Sequence, residues 1–277
     1  LVLSILTAVL GMVLGNMGRS HMRQLSIQEG MLFILGVWFL VALLGMFPFH
    51  LVGLHISPVD TFFECISALT TTGITTLGTA LPPSLLLWRA LMSWFGGLIF
   101  IVILVTVLPV VSGCFGLDFT VRQDRLFSPL WNRMTRPMRE MTFLYIVLTL
   151  MATIIYLIAG DAIFPAIILA LFTISSGAGP MMDELPMIPQ LMFGSGFVAL
   201  LSALPLLTLW QTLRRRNETQ LTEHMELRAF FILFLFTGTL LAIPSILSGT
   251  LPFLEALGQG YFYAISFLST NGLMLES

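Results

Sequence analysis

The strongest constraint on this chain is a short pattern written three times: an apolar run, then small hydroxyl residues, then glycine. The copies are Cys65-Ile-Ser-Ala-Leu-Thr-Thr-Thr-Gly73, Leu169-Ala-Leu-Phe-Thr-Ile-Ser-Ser-Gly177 and Ala264-Ile-Ser-Phe-Leu-Ser-Thr-Asn-Gly272. The apolar segments that lead into them, 60–72, 161–175 and 255–270, are too short to cross a bilayer core, which takes about 20 residues. Longer runs alternate with them at 31–49, 84–112, 141–159, 187–210 and 229–247, and 1–17 reads as the tail of another span. The order is long helix, short helix, glycine turn, long helix.

Composition decides the solvent. The chain is 57% hydrophobic and 9% charged, where a soluble domain carries about 25% charged residues. So much apolar surface needs lipid around it. Irregular backbone at membrane depth survives only where it is buried in protein or lines a wet cavity. The pattern therefore predicts an all-α membrane protein whose repeated helix–pore-loop–helix units are arranged around one ion pathway.

The boundaries follow. Residues 1–28 read as the end of a preceding span and a cytoplasmic loop, and 29–112 as the first helix–pore–helix unit. An arginine-rich cytoplasmic loop is expected at 113–140, the second unit at 141–210 and another loop at 211–228. The third unit, 229–277, stops just after its glycine turn. The chain opens inside an apolar run and ends where a further helix is expected, so the sequence predicts a piece of a longer protein.

Arginine sets the orientation. Arg19 and Arg23 precede the first unit, Arg122, Arg125, Arg133, Arg136 and Arg139 fall between the first and second, and Arg214, Arg215, Arg216 and Arg228 between the second and third. By the positive-inside rule those loops are cytoplasmic. Asp60, Glu64, Asp161, Asp183, Glu184, Glu255 and Glu276 are left on the outer side, with Arg89 as its one strong cation. An acidic mouth concentrates cations. Arg89 is expected to snorkel to the interface or pair with an acid such as Glu64. Pro205, inside a long run, is expected to kink it.

A dehydrated alkali cation needs oxygen ligands, and backbone carbonyls supply them without a fixed charge that traps the ion. Glycine reaches positive φ without a Cβ clash, and neighbouring hydroxyls add a ligand or brace the loop. The candidate ion-binding residues are therefore Thr71, Thr72, Gly73 and Ile74; Ser175, Ser176, Gly177 and Ala178; and Thr270, Asn271, Gly272 and Leu273. No catalytic residues and no cofactor are expected, and the cysteines and histidines form no metal-ligand spacing.

The stretch from Asp60 to Gly73, with Leu86-Leu-Trp-Arg-Ala-Leu-Met-Ser-Trp-Phe-Gly-Gly97 after it, resembles the first pore loop and span entry of the Trk/Ktr/HKT superfamily of potassium transporters. The resemblance implies four such units around one pathway in a multi-pass cell-membrane protein, in bacteria the inner membrane; this chain is then a fragment lacking the fourth pore unit, and its three walls alone are not expected to conduct. It implies K+ as cargo, channel-like or coupled to Na+ or H+. It also implies a homodimer in membrane lipid with a cytoplasmic nucleotide-binding regulatory subunit, and no nucleic acid. Glycine at Gly73, Gly177 and Gly272 is what that family associates with potassium. The second loop has Gly-Ala-Gly where Gly-Gly-aromatic is common, and the third has Asn271 and Leu273 where Thr and Phe are common. The alternatives are a non-conducting or sodium-permeable relative and a secondary transporter for another solute. The latter predicts inverted repeats, whereas these units repeat in parallel.

Overall fold

A computed structural model of the chain describes residues 11–13, 15–16, 27–53, 56–77, 81–114, 130–177, 188–204, 225–249 and 251–275. These are nearly all helical. Ala178, Asp183, Glu184, Pro205, Glu276 and the loop residues Arg122, Arg125, Arg214, Arg215 and Arg216 lie outside the described residues. The chain divides into two compact units, 1–66 and 67–277.

The first unit contains α1 (Ile27–Gly45), α2 (Phe47–Leu51) and most of α3 (Pro58–Leu69). The predicted run 31–49 is one span by length and hydropathy, Leu32–Leu51, but it is broken at Met46. Pro48 explains the break: it has no N–H, and its ring would strike the carbonyl four residues back. The start of α3 is fixed by Ser57, whose hydroxyl accepts the Asp60 N–H at 3.1 Å and donates to the Asp60 carboxylate at 2.7 Å. Pro58 fills the first helical position, where a missing N–H costs nothing. Phe39 and Phe62 meet edge-on at 5.4 Å between ring centroids.

The second unit contains α4 (Pro83–Cys114), α5 (Leu130–Ile158), α6 (Ile163–Ser175), α7 (Pro189–Ala203), α8 (Met225–Leu247) and α9 (Phe253–Leu268). Parts of α4, α5 and α8 are long and apolar enough to cross a membrane. The short helices α3, α6 and α9 have 12, 13 and 16 residues, about 18–24 Å at 1.5 Å per residue. That is less than a bilayer core of about 30 Å, as the sequence predicts. The centre of the unit is α6, buried continuously from Ile168 to Ser175. Tyr145 and Tyr156 of α5, Val198 and Ala199 of α7, and Phe262 and Ile265 of α9 pack with α6 residues in one core.

Two expectations change. Residues 130–140 belong to α5 rather than to the predicted loop 113–140. Arginine, glutamate and methionine are good helix formers, so an apolar run marks where a helix enters lipid, not where it begins. In the predicted span 187–210 the helix described ends at Ala203, and Leu204, expected to continue it, is extended at φ −70, ψ 140. Leu204 precedes a proline, which drives a residue out of the α region.

Candidate functional site

Each short helix ends in the same cap. The Thr71, Ser176 and Thr270 N–H groups donate to the carbonyls three residues back, Ala68, Thr173 and Phe267, at 3.0, 3.3 and 3.1 Å. The next N–H groups, of Thr72, Gly177 and Asn271, donate to carbonyls five residues back, Ser67, Phe172 and Ser266, at 2.9, 3.0 and 3.1 Å. This pair of bonds is the Schellman motif, which normally places glycine in the left-handed position. Here Thr71, Ser176 and Thr270 occupy it at φ 56, 55 and 56. A side chain there costs roughly 1–2 kcal/mol, and a β-branched threonine is a marked outlier. Such strain clusters at functional sites.

The caps fix the register between loops. Gly73 and Gly272 stand two residues past the left-handed residue, at φ 77 and 66. Gly177 stands one past it and is not left-handed. It is therefore the counterpart of Thr72 and Asn271, and Ala178 is by sequence the counterpart of Gly73 and Gly272. The need for glycine at Gly177 is steric. A Cβ there would lie 1.8 Å from the Ser93 hydroxyl of α4 and 3.1 Å from its Cβ.

Where the loop carbonyls go separates ligand candidates from braces. The Ile74 carbonyl accepts the Ser67 hydroxyl at 2.5 Å and the Arg89 Nη2 at 3.1 Å, which uses both lone pairs. The Leu273 carbonyl accepts the Ser266 hydroxyl at 2.8 Å, the same seven-residue reach. Among the described residues no hydrogen bond falls on the carbonyls of Thr71, Thr72, Gly73, Thr270, Asn271 or Gly272. Ile74 and Leu273 thus anchor their strands through the carbonyl, while the residues before them keep theirs open. The helix ends beside them carry about half a negative elementary charge each, which favours a cation.

Neighbouring helices hold the loops in place. Arg89, expected to snorkel or to pair with an acid such as Glu64, is 1% exposed and so does not snorkel, and its Nη2 donates to the first loop at the Ile74 carbonyl. The Gly96-Gly97 pair of α4 faces two loops at once. A Cβ on Gly96 would lie 1.9 Å from the Leu69 carbonyl, and one on Gly97 3.3 Å from Ser175. Ser93 and Ser175 share a buried hydrogen bond of 3.0 Å. Asn271, fully buried, donates to the Ser202 hydroxyl of α7 at 3.2 Å and to Ser269 at 2.9 Å. The second helix of each repeat thereby grips the loop of the next. Trp94 donates to Thr149 at 2.9 Å, and the Tyr145 hydroxyl donates to the Trp94 carbonyl at 3.2 Å, which ties α4 to α5. Sequence reasoning anticipated glycine as the strained residue; it missed the strained hydroxyl residues, the serine braces and the role of Arg89.

Comparison with known proteins agrees with this architecture. Residues 3–179 match the family model of TrkH, described as a cation transport protein. The chain is 32% identical over 168 residues to the Trk system potassium uptake protein TrkH of Vibrio parahaemolyticus, covering 57% of this chain and 34% of that protein. It is 28% identical over 267 residues to TrkG of Escherichia coli, another Trk system potassium uptake protein, covering 91% and 54%. The crystal structure of the potassium transporter TrkH from Vibrio parahaemolyticus superposes with a TM-score of 0.79 at 24% identity, over 92% of this chain and 53% of that one. The chain thus spans between about a third and a half of the length of these relatives.

Proposed function

The chain belongs to the TrkH family of cation transport proteins, and on that premise we propose that its three capped loops are strands of a filter through which K+ enters the cell. The relatives named as potassium uptake proteins support the cargo. The observation that carries the reading is the split among carbonyls: open at Thr71, Thr72, Gly73, Thr270, Asn271 and Gly272, and hydrogen-bonded at Ile74 and Leu273. Open carbonyls on strands braced from behind replace a hydration shell without having to move. The ion gathers at an acidic outer mouth, sheds water against these oxygens and leaves toward the arginine-rich side. Inward movement gains about 2.3 kcal/mol per charge per 100 mV, with Na+ or H+ as candidate coupling ions. The proposal extends to a homodimer in the bacterial inner membrane with a cytoplasmic nucleotide-binding regulatory subunit.

The test is rubidium and sodium uptake by the natural protein in cells without their own potassium uptake, beside a Gly73→Ser variant. Rubidium uptake that the substitution weakens or shifts toward sodium supports the filter. Membrane-inserted protein that takes up neither ion rules it out.

A further inference from the structure

The two junctions between repeats are packed differently. Between the first and second, α4 lies directly on α5. Trp94 fills that contact, its ring 5.2 Å from the Tyr145 ring and its N–H on Thr149. Between the second and third, α7 and α8 each pack on α9 but hardly on each other. The gap is a cavity of about 300 Å³. Phe262 and Ile265 of α9 form its buried floor, 4% and 3% exposed, and Phe193 and Phe197 of α7 its open rim, 68% and 50% exposed. Phe234 of α8 forms the facing wall. Phe231 and Leu241, one and two turns away on the same stripe of that helix, are exposed, so the cavity is continuous with the surface that a membrane-spanning α8 turns to lipid. Glycine keeps the space open. A Cβ on Gly196 of α7 would meet nothing nearer than Phe262 at 3.9 Å and Ile265 at 4.0 Å. Packing therefore does not demand glycine there, and a helix is weaker for it. Gly258 of α9 lines the same cavity opposite Met192.

The walls select the occupant. Among the described residues no charged side chain lines the cavity, and the Tyr261 hydroxyl is the one polar side-chain group. Water needs several polar partners and leaves such a space dry. Left empty, the cavity forfeits dispersion contacts on every wall. The medium at its mouth is hydrocarbon. We propose that the cavity is a lipid site, entered between α7 and α8 by one acyl chain of a bilayer phospholipid, which packs on Phe262 and Ile265. Those two residues share a core with Leu273 and Leu275, which follow the third glycine turn. The bilayer thus supplies packing behind the third loop, where the first junction uses Trp94. Occupancy depends on the membrane setting and not on conduction, so it is read without any uptake measurement.

The experiment reconstitutes the natural protein in vesicles of phosphatidylethanolamine and phosphatidylglycerol doped with a phosphatidylcholine that carries a diazirine in one acyl chain. After illumination, adducts are mapped by mass spectrometry of the peptides. Exposed Phe231 and Leu241 report the lipid around the protein, whereas buried Phe262 and Ile265 are reached from the cavity. Wild type is expected to carry adducts on both pairs. Gly196→Leu puts a side chain into the cavity and is expected to cut the adducts on Phe262 and Ile265 about fivefold, as a difference of about 1 kcal/mol does, with those on Phe231 and Leu241 unchanged. Gly258→Leu fills the cavity from the opposite wall and is expected to do the same, so the result does not hang on one substitution being tolerated. Wild type labelled on Phe231 and Leu241 but not on Phe262 and Ile265 overturns the proposal, because protein, from this chain or a second copy, then fills the cavity. Adducts on Phe262 and Ile265 that neither substitution reduces overturn it as well, because the label then arrives by another route.

Discussion

Replacing Gly96 by alanine tests the packing that holds the first loop. The added Cβ would lie 1.9 Å from the Leu69 carbonyl oxygen, 2.7 Å from its carbon and 3.1 Å from its Cα. All three are backbone atoms in the last turn of α3, so no side chain can rotate away. To reach ordinary contact, α4 must withdraw by about 1.5 Å, and the same stretch of α4 carries the Arg89 and Ser93 contacts. Overpacking costs typically 1–3 kcal/mol, and a rigid backbone obstacle belongs at the top of that range. At about 2–4 °C per kcal/mol for a protein of this size, a loss of about 3 kcal/mol lowers the apparent melting temperature by roughly 6–12 °C. The assay is thermal unfolding of the purified protein in detergent, with Gly36→Ala as control because nothing lies within 4 Å of a Cβ there. The control gains helix propensity, up to about 1 kcal/mol, and is expected to be neutral or slightly stabilised. Gly96→Ala protein that melts with wild type and transports normally would refute the close approach of α4 to α3.

Three further outcomes follow from the contacts. Ser266→Ala is expected to cost about 1 kcal/mol and to lower the rubidium-to-sodium ratio, and Ser67→Ala to do so less, because Arg89 still donates to the Ile74 carbonyl; paired uptake measurements check both. Arg89→Met keeps much of the bulk but removes the donor and the buried charge, and is expected to cut rubidium uptake more than membrane abundance, as read by parallel immunoblot and flux. Trp94→Phe removes the N–H to Thr149 while keeping an aromatic ring against Tyr145, whose ring lies 5.2 Å away; a loss of about 1 kcal/mol, seen as a small melting shift, is expected.

The sequence was most informative where one physical quantity dominates. Lipid demands long apolar helices, so α4, α8 and the membrane part of α5 were visible as hydropathy, and α3, α6 and α9 as runs too short to cross. Hydropathy is blind to where a helix continues into water, which is why 130–140 read as a loop. Pro205, expected to bend a helix, lies outside the described residues, and what is visible of its effect is the extended Leu204 before it. The loops were found through their glycines, and those glycines have different causes. Gly73 and Gly272 serve a backbone angle and Gly177 serves a close approach to Ser93. No pattern of letters separates the two, and counting from glycine put the second loop one residue out of step. The serine braces were also in plain sight, at a constant distance before the carbonyl they hold, but only a folded turn makes residues seven apart meet.

The grip of each repeat on the next loop has a consequence for how the protein is made. Ser93 and Gly97 of α4 precede the second loop in the chain, and Ser202 of α7 precedes the third. A ribosome therefore delivers the holding surfaces of the second and third loops before the loops themselves, whereas Arg89 and Gly96, which hold the first loop, follow it in the chain. Chains fold from the N-terminus as they emerge, so the second and third turns meet a finished cradle on arrival, while the first is locked only once α4 has been made. Truncation at successive lengths is expected to show the first loop closing with α4 and the other two closing as they are translated.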